Sequence, residues 1–179
     1  MSEDFGAKTI EMMPKLRAFA ISLCGNRTLA DDLVQDTLIK AWAARDRFEP
    51  GTNLNAWLHT ILRNNYFSQL RKTKRSVEDP DGSYEASMTS KAAQDGRIEY
   101  RDLCRALSAL PPEQREAIIL TSAGGFSYEE VAQIAGCAVG TVKSRVNRAR
   151  VALTRQMDSG AEPQDVALTG GENTLRSLR

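Results

Sequence analysis

The sequence predicts an all-α protein made of two small helical domains joined by a flexible linker, with a helix-turn-helix in the second domain. Three observations lead to this fold class. Apolar residues recur at helical spacing in both halves, runs of β-branched residues are short, and an acidic stretch containing a proline and a glycine separates the halves. The chain has 179 residues, 41% of them hydrophobic, which suits two small cores. The predicted boundaries are a first domain at 1–75, the linker at 76–97, a second domain at 98–157 and a disordered tail at 158–179.

The first domain contains three predicted helices. The first covers about 7–24, where Pro14 either bends the helix or marks its true start. Breaker residues at 48–53 precede the third helix, which turns Leu54, Trp57 and Leu58 inward. The second helix has the most regular apolar stripe of the chain, at positions i, i+3, i+4, i+7, i+8, i+11 and i+12. Its members are Ala30, Leu33, Val34, Thr37, Leu38, Ala41 and Trp42.

The second domain ends in a predicted helix-turn-helix. Ser127 and Glu130 have the spacing of a capping box, which predicts a helix start. Ala132 is small enough for two helices to approach, Gly136 can adopt the positive φ of a tight turn, and Val142 fills the joint between the helices. Many helical hairpins match this triplet, so the helix that follows decides the interpretation.

That last helix has one apolar face and one basic, polar face. At 100° per residue, Val142, Val146, Ala149 and Leu153 cluster on one side and face the core. Asparagine can pair with adenine, and lysine or arginine with guanine or phosphate, so the opposite face suits the DNA major groove. The predicted DNA-contacting residues are Thr141, Lys143, Ser144, Arg145, Asn147, Arg148 and Arg150. A charged surface helix without DNA is the alternative.

Two further faces suggest binding. The third helix is predicted to turn His59, Arg63 and Phe67 outward, with Tyr66 and Arg71 near the edges. Aromatic rings among basic residues suit unpaired nucleotides, because bases stack on rings while cations follow the phosphates. Packing of Tyr66 and Phe67 against a second surface is the alternative.

The polar side of the second helix is acidic around an exposed isoleucine. Its residues are Asp32, Gln35, Asp36 and Ile39. An acidic surface repels DNA, whereas an apolar side chain within it favours a protein partner. An ordinary solvated helix face remains the alternative.

Composition excludes several classes of protein. No apolar run reaches membrane-spanning length, and the acidic start lacks a signal-peptide core, so we expect a cytoplasmic, soluble protein. Cys24, Cys104 and Cys137 are odd in number and widely spaced, and His59 is the only histidine. We therefore expect free thiols and no metal or other cofactor. No set of nucleophile, histidine and acid is evident, and no glycine-rich phosphate loop, so we expect no enzymatic activity.

Three motifs, which occur along the chain in the same order as in the family, resemble those of the extracytoplasmic-function (ECF) sigma factors. Residues 30–37 (ADDLVQDT) look like the segment of that family that binds the polymerase clamp. The strings at 48–52 (FEPGT), 56–58 (AWL) and 61–64 (ILRN) look like its promoter-melting segment, and 140–150 (GTVKSRVNRAR) looks like its upstream-element reader. The resemblance covers residues 16–153. Finer features resemble the EcfG-type subgroup, the general stress response sigma factors; these are 17–20 (RAFA), 51–52 (GT), 60–64 (TILRN), 125–128 (GFSY) and 139–141 (VGT).

The resemblance implies a sigma factor that recruits core RNA polymerase to stress-response promoters, recognises their −35 and −10 elements and promotes melting. It assigns polymerase binding to the acidic face of the second helix and the −35 element to the last helix. It assigns the −10 element to Asn53, Asn55, His59, Arg63, Asn64, Phe67 and Arg71. It also implies a small helical anti-sigma factor, itself controlled by a sigma-like response regulator. We expect the domains to be open on polymerase and compact with that inhibitor.

Two other functions, a sigma-like decoy and a stand-alone repressor, are compatible with parts of the sequence. A sigma-like decoy that binds only the anti-sigma factor predicts a receiver domain or a defective recognition helix, and neither is evident. A stand-alone helix-turn-helix repressor explains the second domain, but it leaves the first without a role and predicts a dimerisation element.

Overall fold

The computed structural model describes residues 2–77 and 96–159, and all regular structure within them is helical. The predicted linker and tail fall largely outside these ranges. The elements are α1 (Ser2–Cys24), α2 (Arg27–Ala43), a 3-10 turn (Arg45–Arg47), α3 (Leu54–Val77), α4 (Gly96–Ser108), α5 (Pro112–Ser122), α6 (Tyr128–Ala135) and α7 (Val139–Ser159). The predicted all-α fold with a helix-turn-helix is confirmed.

The first domain is a three-helix unit in which α3 packs against both α1 and α2. Gly25 takes a positive φ of 69°, which ends α1. Asn26 then begins α2, because its side chain accepts a hydrogen bond from Leu29 N at 3.1 Å. Only two residues join these helices, so they run antiparallel. The core is formed by Leu16, Phe19, Leu23, Leu33, Leu58 and Leu62.

Two details of the first domain differ from the sequence prediction. Helix α1 begins at Ser2 and contains Pro14, so the proline does not mark its start. Trp42 was predicted to face the core, but it is 49% exposed. It lies in the last turn of α2, where it contacts Phe5 and Arg45 instead of the core.

The second domain packs α4, α5 and α6 around α7. The capping box is present, with Ser127 and Glu130 bonded reciprocally through side chain and backbone. Gly136 adopts the left-handed conformation, at φ 63°, that turns the chain from α6 to α7. Val142, Val146 and Ala149, which share one face of α7, are buried, as the periodicity predicts.

The two domains also contact each other directly. Helix α3 packs against α6, and α1 packs against α4 and α5. The described part of the chain is therefore in a closed arrangement, which sequence patterns within each domain do not reveal.

Candidate interfaces for DNA and polymerase

The predicted DNA-contacting face of α7 lies on the surface. Lys143, Asn147, Arg148 and Arg150 are exposed, whereas Thr141, Ser144 and Arg145 are half-buried. On the opposite side of α7 from these exposed side chains, Val142, Val146 and Ala149 are buried. The second helix of the helix-turn-helix is therefore packed against the domain core by its apolar face. A basic and amide-bearing surface is thus presented on a rigid support, as major-groove contact requires.

The half-buried members of this set have partners within the domain. Ser144 donates a hydrogen bond to the Thr141 carbonyl oxygen at 2.9 Å, one turn earlier. Arg145 lies near the turn, where its Nη1 is 3.7 Å from Cys137 Sγ. The first turn of α7 is therefore internally ordered, and Lys143 and Asn147 extend from it.

The acidic face of α2 is exposed as predicted. Asp32, Gln35 and Asp36 are exposed, and Ile39 is 68% exposed. The neighbouring Asp31 instead pairs with Arg17 of α1, and that hydrogen bond holds the pKa of Asp31 below its ordinary value. Trp42, which the sequence prediction placed in the core, continues this face beyond Ile39 and adds a large ring. Acidic side chains around two large apolar ones are typical of a protein-binding surface.

The third predicted surface is mostly covered. Asn53, Asn64 and Arg71 are exposed, and Asn55 and Arg63 are half-buried. His59 and Phe67 were expected to point outward, but they are 3% and 8% exposed. The helical periodicity of α3 correctly separates them from Leu58 and Leu62. His59 is covered from two sides, by Phe19 of α1 and by Phe126 of the second domain. The neighbours of the Phe67 ring are Tyr66 and Arg63 of α3 itself.

His59 lies between two aromatic rings from distant parts of the chain. Its ring centroid is 5.0 Å from Phe19 of α1 and 5.0 Å from Phe126, which precedes α6. Its Nδ1–H donates to the Asn55 carbonyl oxygen at 2.8 Å. Burial lowers the pKa of His59, so the ring is neutral near pH 7.

Arg63 is held by a carboxylate of the second domain. Its Nε donates to Glu116 Oε1 at 2.8 Å, and its guanidinium lies 4.6 Å from the centroid of the Phe67 ring. The Glu116 side chain is only 1% exposed. Burial raises the pKa of Glu116, against the opposing effects of Arg63 and of Arg145 in α7.

Two more contacts complete this boundary. Asn53 Nδ2 donates to Glu130 Oε1 at 2.8 Å. Arg115 of α5 donates to the Leu23 carbonyl oxygen at the end of α1 and also to carbonyl oxygens of its own domain. We call the four pairs Asn53–Glu130, His59–Phe126, Arg63–Glu116 and Leu23–Arg115 the interdomain seam.

Across 2–77 and 96–159, no three histidine, cysteine or acidic side chains are grouped so that they could hold a metal ion. No helix in these ranges is long and apolar enough to cross a bilayer. Cys24, Cys104 and Cys137 are free thiols and are half-buried.

Family comparisons agree with the two-domain architecture. Residues 10–76 match the family model for Sigma-70 region 2, and residues 100–153 match that for Sigma-70, region 4. Together the matches span more than half of the chain. The first contains α2 and nearly all of α3, and the second contains the helix-turn-helix.

Individual relatives are similar over nearly the whole chain. The ECF RNA polymerase sigma factor EcfG of Rhodopseudomonas palustris (strain TIE-1) is 54% identical over 167 residues, which cover 93% of this chain and 90% of that relative. The sigma factor RpoE of Bartonella quintana, solved with the anti-sigma factor NepR, is 52% identical with a TM-score of 0.80, over 87% of this chain and 98% of that one. CnrH, solved with the cytosolic domain of CnrY, is 29% identical with a TM-score of 0.69, over 90% and 92% of the two chains.

These matches agree with the resemblance that the three sequence motifs carry. A sigma factor binds core RNA polymerase and promoter DNA and has no catalytic activity of its own. The chain belongs to the ECF RNA polymerase sigma factors, in their EcfG-type group.

Proposed function

We propose that this sigma factor recognises the −35 element with the exposed face of α7, and that Lys143 and Asn147 are its main base-reading residues. The observation that carries the proposal is the support behind that face: Val142 and Val146 are buried, which fixes the orientation of the two side chains. Arg148 and Arg150 lie beside them on the surface and suit phosphate contacts, which position the helix without determining sequence.

The polymerase contact is the exposed side of α2. Asp32, Gln35, Asp36 and Ile39 form it, and Trp42 extends it at the end of the helix. None of these five residues belongs to the interdomain seam, so polymerase can reach them while the domains are closed. An acidic surface with two exposed apolar side chains fits a basic partner with an apolar pocket.

The −10 contact is the loop at 50–55 together with one side of α3. Asn53, Asn64 and Arg71 are exposed there. His59 and Arg63 lose their second-domain partners, Phe126 and Glu116, once that domain moves away, and Phe67 lies beside Arg63 on the same helix. Rings and cations in alternation on this helix support capture of a melted strand, because bases stack on the rings and arginine pairs with phosphate.

Regulation is proposed to follow the EcfG-type pattern. A small helical anti-sigma factor holds this chain inactive in the cytoplasm, and a sigma-like response regulator takes that inhibitor away under stress. Support comes from the similar structure of RpoE, which was solved with the anti-sigma factor NepR. The general stress response is the role of the EcfG-type group that the sequence motifs resemble.

Run-off transcription from a randomised promoter library tests the function. Core RNA polymerase with this chain should yield transcripts enriched in one pair of upstream and downstream elements, and core polymerase alone should not. A sigma-like decoy yields no transcript. A stand-alone repressor binds its duplex site tightly without polymerase, whereas we expect the free sigma factor to bind duplex promoter DNA weakly. Absence of any selected promoter element would contradict the proposal.

A further inference from the structure

Four aromatic side chains meet beside the loop proposed for the −10 strand. They come from separate segments: Phe5 from α1, Trp42 from α2, Phe48 from the end of the 3-10 turn and Trp57 from α3. The centroid of the Phe5 ring lies 6.3 Å from that of Trp42, 5.9 Å from that of Phe48 and 6.1 Å from that of Trp57. The Phe48 and Trp57 centroids are 5.4 Å apart. We call these residues the aromatic cluster, in which the Phe5 ring contacts each of the others.

The loop between Phe48 and Trp57 is a stiff, exposed turn. Its Thr52 N donates to the Glu49 carbonyl oxygen at 3.2 Å across a Pro-Gly pair, a sequence that favours a tight turn. All residues from 49 to 53 are exposed. Because a stiff loop moves as a unit, its orientation on the domain depends on how its two ends are held. One end is Phe48, and the other is the first turn of α3, which carries Trp57.

The turn of α1 that carries Phe5 is itself ordered. Thr9, one turn later, is 7% exposed, and its hydroxyl donates to the Phe5 carbonyl oxygen at 2.7 Å. Lys8 and Asp4 form an exposed ion pair at 2.9 Å along the same turn. Residues 2–9 precede the stretch that matches Sigma-70 region 2, which starts at residue 10. The ring that joins both ends of the loop therefore comes from outside the matched stretch.

We propose that Phe5 is a positioning residue for the −10 strand, because it holds Phe48 and Trp57, and through them the loop at 50–55, in one orientation. This inference rests on the proposed assignment of that loop to the −10 element. Phe5 touches no nucleotide. Its effect is to limit how far the loop swings away from α3, since a loop that is already oriented loses less conformational entropy when the strand binds.

Intrinsic fluorescence tests the packing in the free chain. Trp42 and Trp57 are the two tryptophans of the sequence, and both contact Phe5. In a Trp42→Phe background, where Trp57 is the single fluorophore, Phe5→Ala should shift emission to longer wavelength and raise the acrylamide quenching constant. Ile10→Ala is the matched control, because it truncates a 66% exposed side chain of the same helix and should change neither quantity. Equal quenching with and without the Phe5 ring would overturn the proposal.

Run-off transcription on templates randomised separately at the two promoter elements tests the consequence for DNA. A favourable ring pair shifts an equilibrium by about 2- to 13-fold, so loss of both loop-end pairs in Phe5→Ala should lower enrichment of the −10 element about fivefold or more. Enrichment of the −35 element should stay at the wild-type value, because α7 lies in the other domain. Phe5→Tyr keeps the ring and should restore the −10 enrichment. A merely structural loss of folded protein would lower the transcript yield from every template and leave both enrichments unchanged.

The outcomes separate this inference from the function on which it rests. Wild-type −10 enrichment in the Phe5→Ala holoenzyme, or an equal fall at both elements, would overturn the positioning role and leave the sigma function intact. If Phe5→Ala does not fold, Phe5→Leu keeps most of the apolar volume and should still lower the −10 enrichment alone. Wild-type holoenzyme that selected no downstream element would refute the proposed function, and this inference with it.

Discussion

Replacing Lys143 or Asn147 by alanine gives a quantitative test of the −35 assignment. Both side chains are exposed, and they lie four residues apart on α7. At 1.5 Å rise per residue their Cα atoms are separated by about 6 Å along the helix. Base pairs stack about 3.4 Å apart, so the two side chains reach different base pairs. Each substitution should therefore relax preference at its own position of the element.

The size of each effect follows from the contact that is lost. A bidentate contact from a side chain to a base contributes roughly 1–3 kcal/mol of discrimination, which is about 5- to 150-fold in preference. Neither residue is in the core, so the free energy of unfolding should change by less than about 0.5 kcal/mol. Run-off transcription on templates randomised at the −35 element, followed by sequencing, measures the preference at every position.

Thr154→Ala is the matched control. Thr154 is also exposed on α7, seven residues after Asn147 and about 10 Å further along the axis, beyond the first turns that enter a groove. It should leave every preference unchanged. If Lys143→Ala and Asn147→Ala gave the wild-type profile, α7 would not be the base-reading helix, whatever its charge.

Three other substitutions test separate parts of the structure. Asp36→Arg should abolish polymerase co-purification without lowering the melting temperature, because the side chain is exposed; retained transcription would refute the docking surface. Ser127→Ala should lower the free energy of unfolding in urea by about 0.5–2 kcal/mol through loss of the cap, whereas Ser122→Ala should not; equal values would contradict the role of the cap. Burial depresses the pKa of His59, so its contribution to stability is complete above its unfolded pKa of about 6.5 and is lost as pH falls toward the folded value. His59→Phe should therefore lose less stability than wild type between pH 7.5 and 5.5, and parallel losses would show that His59 is not buried in solution.

The helix-turn-helix was predictable from sequence because local rules determine it. A capping box needs two residues three positions apart, and a left-handed turn needs a glycine, so Ser127, Glu130 and Gly136 act within one short segment. The exposed face of α7 follows from helical periodicity alone. The same reasoning located the exposed residues of α2.

The burial of His59 was not predictable in this way. Its covering ring, Phe126, is distant in sequence and belongs to the other domain. Periodicity separates His59 from Leu58 and Leu62, but it does not show that the ring lies between Phe19 of its own domain and Phe126 of the other. The pairing of Arg63 with Glu116 is missed for the same reason.

For Trp42 the sequence predicted burial, but the side chain is 49% exposed. Its spacing continues the apolar stripe of α2, and Ala41 beside it is fully buried, so the core does reach this turn. At 100° per residue, however, Trp42 lies at the edge of the stripe next to the exposed Gln35, and its ring contacts Phe5 of α1. An i+4 spacing therefore does not by itself separate the middle of an apolar face from its border. The structure therefore adds Trp42 to the candidate polymerase contacts, although the sequence predicted that it lies in the core.

Permanganate probing of a selected promoter tests most directly the claim that this chain enables polymerase to melt DNA. Permanganate oxidises unpaired thymines, so it reports strand opening at each position. Core polymerase with the wild-type chain should produce reactive thymines in the −10 element and downstream of it, and core polymerase alone should produce none. Wild-type holoenzyme that binds the promoter but leaves every thymine protected would contradict the account.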